Sequence, residues 1–227
     1  MIPNRFRIYT PILLMALVAC EPQSWKSAVT AGQQAMQQNR HAEAERIFSA
    51  AVKKAEEQFG LHHRNVGVAL SLEAQALAAQ GKYVEAEPVY AQALTIYQDA
   101  EGDTNADVAA TLNNLGVLHR MHGQYTQAEP LLNRALAIKE QLYGPDHPEV
   151  ALTIQNLGML YVSQGQLEKA EPLYRRALAI REKSLEAAHP DVAKSLDDLA
   201  GVLRKLHRDG EAGALETRAY DLRAKRS

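Results

Sequence analysis

The chain has 227 residues, with 25 Lys and Arg against 27 Asp and Glu, and a formal net charge of −2. That balance, without a basic stripe, argues against nucleic acid as a partner. Phenylalanine and tryptophan are too scarce, at three and one, to offer stacking platforms in series for single strands. One cysteine, Cys20, excludes an intramolecular disulfide.

The first twenty residues differ in kind from the rest. Arg5 and Arg7 precede an apolar run from Ile12 to Ala19. That run is too short to cross a bilayer, which takes about 20 residues. The arrangement is that of a secretory signal. It closes on Leu17-Val18-Ala19-Cys20, which resembles the bacterial lipoprotein box. The resemblance implies a signal peptide over 1–19, cleavage before Cys20, and acylation of the Cys20 sulfur and new amino group with palmitate-like chains. Two or more chains hold a protein stably on a membrane, where one does not. Glu21 follows the cysteine instead of the aspartate associated with inner-membrane retention, so the expected location is the periplasmic side of the outer membrane. Cleavage removes two arginines and no acid, taking the net charge from −2 to −4. Residues 20–24 form the lipidated cysteine and a tether that reaches roughly 15–18 Å when extended.

From residue 25 to 227 one period governs the chain. Ala44, Ala86, Ala128, Ala170 and Ala212 fall 42 residues apart, and so do Ala51, Ala93, Ala135, Ala177 and Ala219. A third column is small throughout: Gly32, Ala74, Gly116, Gly158 and Ala200. A fixed period of this size means stacked repeats. Five units are expected, near 25–66, 67–108, 109–150, 151–192 and 193–227. In the third unit Leu112, Leu115, Gly116 and His119 recur at helical spacing. Gly123 interrupts, and Ala128, Leu131, Leu132, Ala135 and Leu136 line a second helix. Each unit therefore reads as a helical hairpin, with alanines where its helices cross. Gly60, Gly102 and Gly144 suit left-handed helix ends. Pro88, Pro130 and Pro172 are expected at the starts of second helices, where the missing donor costs little. His147-Pro148 and His189-Pro190 read as helix starts. Asn39 and His207 stand where the middle units have glycine.

Gly116, Ala128, Leu132 and Ala135 resemble the small, alanine, large-apolar and alanine positions of the tetratricopeptide repeat. The stretches HPEVALTIQNLGMLY and AEPLYRRALAIREK, with the long unit, resemble the kinesin-light-chain type. The resemblance covers roughly 25–222 and weakens in the first and last units; Glu216 stands at the large-apolar position of the fifth. It implies an all-α, right-handed α-solenoid of about five helix-turn-helix repeats, with first helices along a concave face. It also implies that asparagines of the first helix line a cargo groove.

On the first-helix face, Asn113, Val117 and Arg120 fall on one flank by helical angle, and Ala110, Asn114 and Met121 opposite the core. An amide or carboxylate pair recurs as Asn113-Asn114, Gln155-Asn156 and Asp197-Asp198. An amide both donates and accepts, so it can hold a peptide backbone without reading its sequence. The candidate peptide-binding residues are Asn113, Asn114, Arg120, Gln155, Asn156 and Asp198. The carboxylate clamp of chaperone-binding repeats is not expected, because Val29 and Gln33 occupy its first-unit positions. His119 and His122 sit three apart, yet no cysteine or carboxylate pair lies beside them at ligand spacing. No phosphate loop or nucleophile elbow is visible. The expected function is a non-catalytic interaction module on the bacterial envelope, without cofactor or metal, binding a protein or peptide partner. An assembly factor of the pilotin or outer-membrane assembly type is the alternative, ahead of an enzyme with an unrecognised site.

Overall fold

The computed structural model describes residues 24–186 and 189–224, so the expected signal segment and Cys20 lie outside the described residues. Ten helices run in sequence: α1 (Trp25–Gln37), α2 (His41–Phe59), α3 (Arg64–Ala79), α4 (Tyr83–Glu101), α5 (Ala106–Met121), α6 (Tyr125–Tyr143), α7 (Pro148–Ser163), α8 (Leu167–Ser184), α9 (Pro190–Lys205) and α10 (Asp209–Ala224). No strand occurs among the described residues. Each odd helix packs on the even helix that follows it and on the one before it, which is a solenoid of helix-turn-helix units. The first helices α1 and α3, and α5 and α7, also touch directly. The stack is therefore tighter along the first-helix side, which makes that side the concave one. Repeat spacing leaves phase free. First helices from the second unit on start at Arg64, Ala106, Pro148 and Pro190, three residues before the windows that open at 67, 109, 151 and 193.

All ten column alanines are buried. The small column faces the large one: a Cβ added at Gly32 would lie 2.4 Å from the Phe48 ring, at Gly116 2.6 Å from Leu132 Cγ, and at Gly158 3.0 Å from the Tyr174 ring. Glycine is there to let two helices approach, at the cost of some helix propensity. In the fifth unit Glu216 leaves this column half-exposed and pairs with Arg204 at 2.5 Å instead.

Helix starts and stops follow local chemistry. Ser24, His63, Asn105, His147 and His189 cap the first helices, each accepting a backbone N–H through its side chain. The three histidines accept on Nδ1 at 3.1–3.2 Å, and Pro148 and Pro190 take the first helical position behind their caps. First helices end with a residue at positive φ: Gly81, Gly123 and Gly165 near +77°, with Asn39 at 57° and His207 at 60°. The next N–H then reaches back five residues, as from Gln124 to the His119 carbonyl at 2.8 Å, which closes the helix end. At the far end of the second helices, Gly60, Gly102 and Gly144 also have positive φ, but their ψ of 160–179° is extended instead of left-handed. Only glycine enters that region freely. The prolines lie deeper than the sequence suggests. Pro88, Pro130 and Pro172 are each the sixth residue of their helix, past the first turn. All three are exposed.

Candidate functional site

The concave face is built from α3, α5, α7 and α9. Between α3 and α5 it holds a cavity of about 200 Å³, lined by Gln75, Ala78, Tyr90, Asn114, Val117, Leu118 and Met121. Tyr90 arrives from α4, where burial raises its phenol pKa beyond the ordinary range. Met121, 46% exposed, and Leu152, 43% exposed, leave apolar surface open on α5 and α7. A second recess, of about 260 Å³, lies on the outer side of the first hairpin and is lined by Ala28, Glu43, Arg46, Ile47, Ala50 and Lys54. It is an end effect: Ala28 and Lys54 stand where the second unit has Leu70 and Ile96.

The structure separates the six groove candidates into two groups. Asn114 lines the cavity. Arg120 is half-exposed, but its Nε is buried without a hydrogen-bond partner, and its guanidinium joins no ion pair among the described residues. The remaining four are engaged within the protein. Asn113 is only 6% exposed, and its Oδ1 accepts from Asn156 Nδ2 at 2.8 Å. Gln155, 5% exposed, donates Nε2 to Asp198 and accepts from Arg181 Nη2 at 2.5 Å. Arg181 also donates to Ser195 Oγ at 2.5 Å. Asn113, on a flank of α5 by helical angle, and Asn156, opposite the hairpin core of α7, are thus held to each other instead of standing free for a ligand. A first helix here has neighbours on three sides, so its buried arc is wider than one hairpin implies. These side chains form rungs between consecutive first helices, each joining residues 43 apart.

Buried cations were not anticipated from the sequence. Lys139 and Arg181 share a column with Ala55 and Tyr97, and both are buried. Lys139 Nζ reaches Glu149 Oε2 at 2.8 Å. Arg181 has its pKa lowered by burial, against the fields of Asp191 and Asp198. Burial likewise raises the Asp198 carboxyl, opposed by Lys194, Gln155 and Arg181. Tyr174 is pushed up to about 12 by burial, with Asp198 raising and Arg120 lowering it. Tyr174, Asp198 and Arg120 therefore share one electrostatic neighbourhood across three units. Because the folded pKa of Asp198 lies above its unfolded value, its contribution favours the fold in acid and is lost as pH rises through the folded pKa. Asp198→Asn keeps an acceptor for Gln155. We expect this variant to melt higher than wild type at pH 7, with the gap closing below about pH 4. A lower midpoint at pH 7 would show that the charge is held favourably.

His119 and His122 diverge. His119 is buried, with Nδ1 2.6 Å from Gln124 Oε1, while His122 packs against Tyr83 at 5.8 Å. Among the described residues no cluster of three His, Cys, Asp or Glu is placed to hold a metal, and no helix is long and apolar enough to cross a membrane.

Stacked antiparallel hairpins with a groove along one side define a helical-repeat scaffold, a fold that is generally non-catalytic and presents an extended surface to proteins. The chain belongs to the tetratricopeptide-repeat family, whose model matches residues 26–99, 68–141, 107–183 and 153–225. No curated protein matches it. Among solved structures it is similar to BtubC (BKLC) from P. vanneervenii, with 25% identity, 88% of this chain and 80% of that one covered, and a TM-score of 0.76. It is also similar to the near-identical repeats of a putative kinesin light chain from Podosopora anserina, at 23% identity, 89% and 96% coverage and a TM-score of 0.75. A Rap protein complexed with Competence and Sporulation Factor matches at 18% identity and a TM-score of 0.75, over 88% of this chain and 54% of that one. The last two likenesses concern the fold alone.

Proposed function

We propose that this chain is an interaction module held at the bacterial envelope by lipid on Cys20, and that it grips an extended segment of a partner protein along the first-helix groove of units two to four. The observation that carries the groove reading is the concave-face cavity in which Asn114 and Met121 of α5 meet Gln75 and Ala78 of α3. A groove of mixed apolar and amide character suits a peptide backbone with one inserted side chain. The Rap likeness supports the reading, since that protein is seen with a bound factor. The sequence Leu17–Cys20 motivates the anchor.

The partner is obtained by cross-linking the lipidated protein in membranes and is then titrated in solution. Asn114→Ala with Arg120→Ala should weaken binding roughly 5- to 150-fold, the equivalent of about 1–3 kcal/mol for one or two lost hydrogen bonds, one of them charged. The melting curve should move little, because neither side chain makes a hydrogen bond or ion pair among the described residues. Wild-type affinity in the folded double variant would move the binding face elsewhere. For the anchor, Cys20→Ser should leave an unprocessed precursor or release the protein from membranes; a mature variant still in the membrane fraction would end that assignment.

A further inference from the structure

We infer that the α2–α3 loop, with Leu61 at its tip, rests in the headgroup region of the bilayer that holds the Cys20 lipid, so that the solenoid meets the membrane by one particular edge. The inference builds on the proposed anchor.

Three observations carry it. The first is reach. A lipidated Cys20 lies five residues before Trp25, at most about 18 Å of extended chain. Trp25 opens α1 on the same edge as the end of α2: its ring meets Phe59 at 5.8 Å, edge to face, and Phe59 stacks on His63 at 4.6 Å. The opposite edge of the solenoid is a full second helix away. Nineteen residues, as in α4, span about 28 Å. The anchor therefore draws one edge down and leaves the other out of reach.

The second is the contrast among equivalent loops. The four connections on this edge are Gly60–His63, Gly102–Asn105, Gly144–His147 and the segment from Leu185 to His189. The last three carry Asp103, Asp146 and Glu186. The first carries no acid and places Leu61 at its tip, 61% exposed. An acid at this place would be repelled by an anionic surface, whereas an exposed leucine gains by leaving water. The loop nearest the lipid is the one whose chemistry tolerates lipid.

The third is rigidity. The Trp25–Phe59–His63 stack and the His63 cap on the Asn65 N–H fix the loop to three helices. Arg64 is tied down by Glu101 at 3.1 Å and Asp107 at 2.5 Å. Leu61 is thus presented by a framework and does not hang on a mobile tip. One leucine suffices because the lipid already makes its contact intramolecular.

The test uses the full lipidated chain in vesicles of equal parts phosphatidylethanolamine and phosphatidylglycerol. Cys20 is the only cysteine and its sulfur is acylated, so Leu61→Cys supplies the single free thiol for an environment-sensitive fluorophore. Val84→Cys is the matched control: Val84 is 67% exposed and lies in the first turn of α4, on the opposite edge. Emission at position 61 should shift to the blue when vesicles are added and be quenched by headgroup-proximal spin labels, and position 84 should do neither. Protein that floats with the vesicles but leaves both positions unquenched overturns the orientation and spares the anchor. Equal or stronger quenching at position 84 overturns it too. Protein that does not float overturns the anchor, and this inference with it. Leu61→Asp in the floating protein should restore protease access to the loop.

Discussion

Leu132→Ala should cost about 2–5 kcal/mol of stability, the range for deleting a fully buried leucine from a core that cannot collapse. In a chain of this size that lowers the thermal midpoint by about 2–4 °C per kcal/mol. Leu132 is fully buried, packs in one cluster with Ala128, Leu157 and Leu160, and so serves its own hairpin and the next unit together. The partner column sharpens the test. A Cβ on Gly116 would sit 2.6 Å from Leu132 Cγ, so Gly116→Ala alone should destabilise. Once Leu132 is alanine, that same methyl enters the void. The two substitutions should then be strongly non-additive, and the double variant should be more stable than Leu132→Ala. Additive losses in calorimetry would show that the two side chains do not share one space.

Ala135→Leu is the opposite perturbation on the same helix. Ala135 is fully buried in the cluster that contains Val108, Ala109 and Leu112, at the crossing of α5 and α6. Three added carbons there should cost about 1–3 kcal/mol by overpacking. Stability in a solenoid is carried by nearest-neighbour interfaces, so units two and four should loosen as well. Ala137→Leu, two residues on and exposed, is the control and should leave the midpoint where it is. Equal melting of the two variants would remove Ala135 from the crossing.

The residues that revealed the architecture were those under a volume limit. Ala128 and Ala135 repeat because each unit presents the same narrow gap, and a gap of fixed size leaves the same mark every 42 residues. The groove carries no such mark. Asn113 and Asn156 hold different positions on a helical wheel, yet one accepts from the other, because adjacent first helices meet across that face. That contact lies 43 residues off, outside the view of a single hairpin. Arg181 was hidden for the same reason: its partners Gln155 and Ser195 come from two other helices. Only at Asn114, whose side chain lines the cavity and makes no hydrogen bond among the described residues, did wheel position and environment agree. The stepped glycines Gly60, Gly102 and Gly144 were recognisable as special, but their extended ψ depends on how the next hairpin is hung from the last.

The fifth hairpin is built unlike the others. Its α10 buries only Ala212 and Ala219, contains Gly210 and Gly213, and turns Glu216 outward to Arg204. Helix α9, by contrast, buries eight side chains against α8 and its own hairpin. Opening therefore has a direction. In amide hydrogen exchange α10 should lose protection first and alone, while α9 remains locked with the fourth unit through Arg181 and Ser195. The molecule would unzip from its distal tip toward α1, keeping the central groove intact through the early steps.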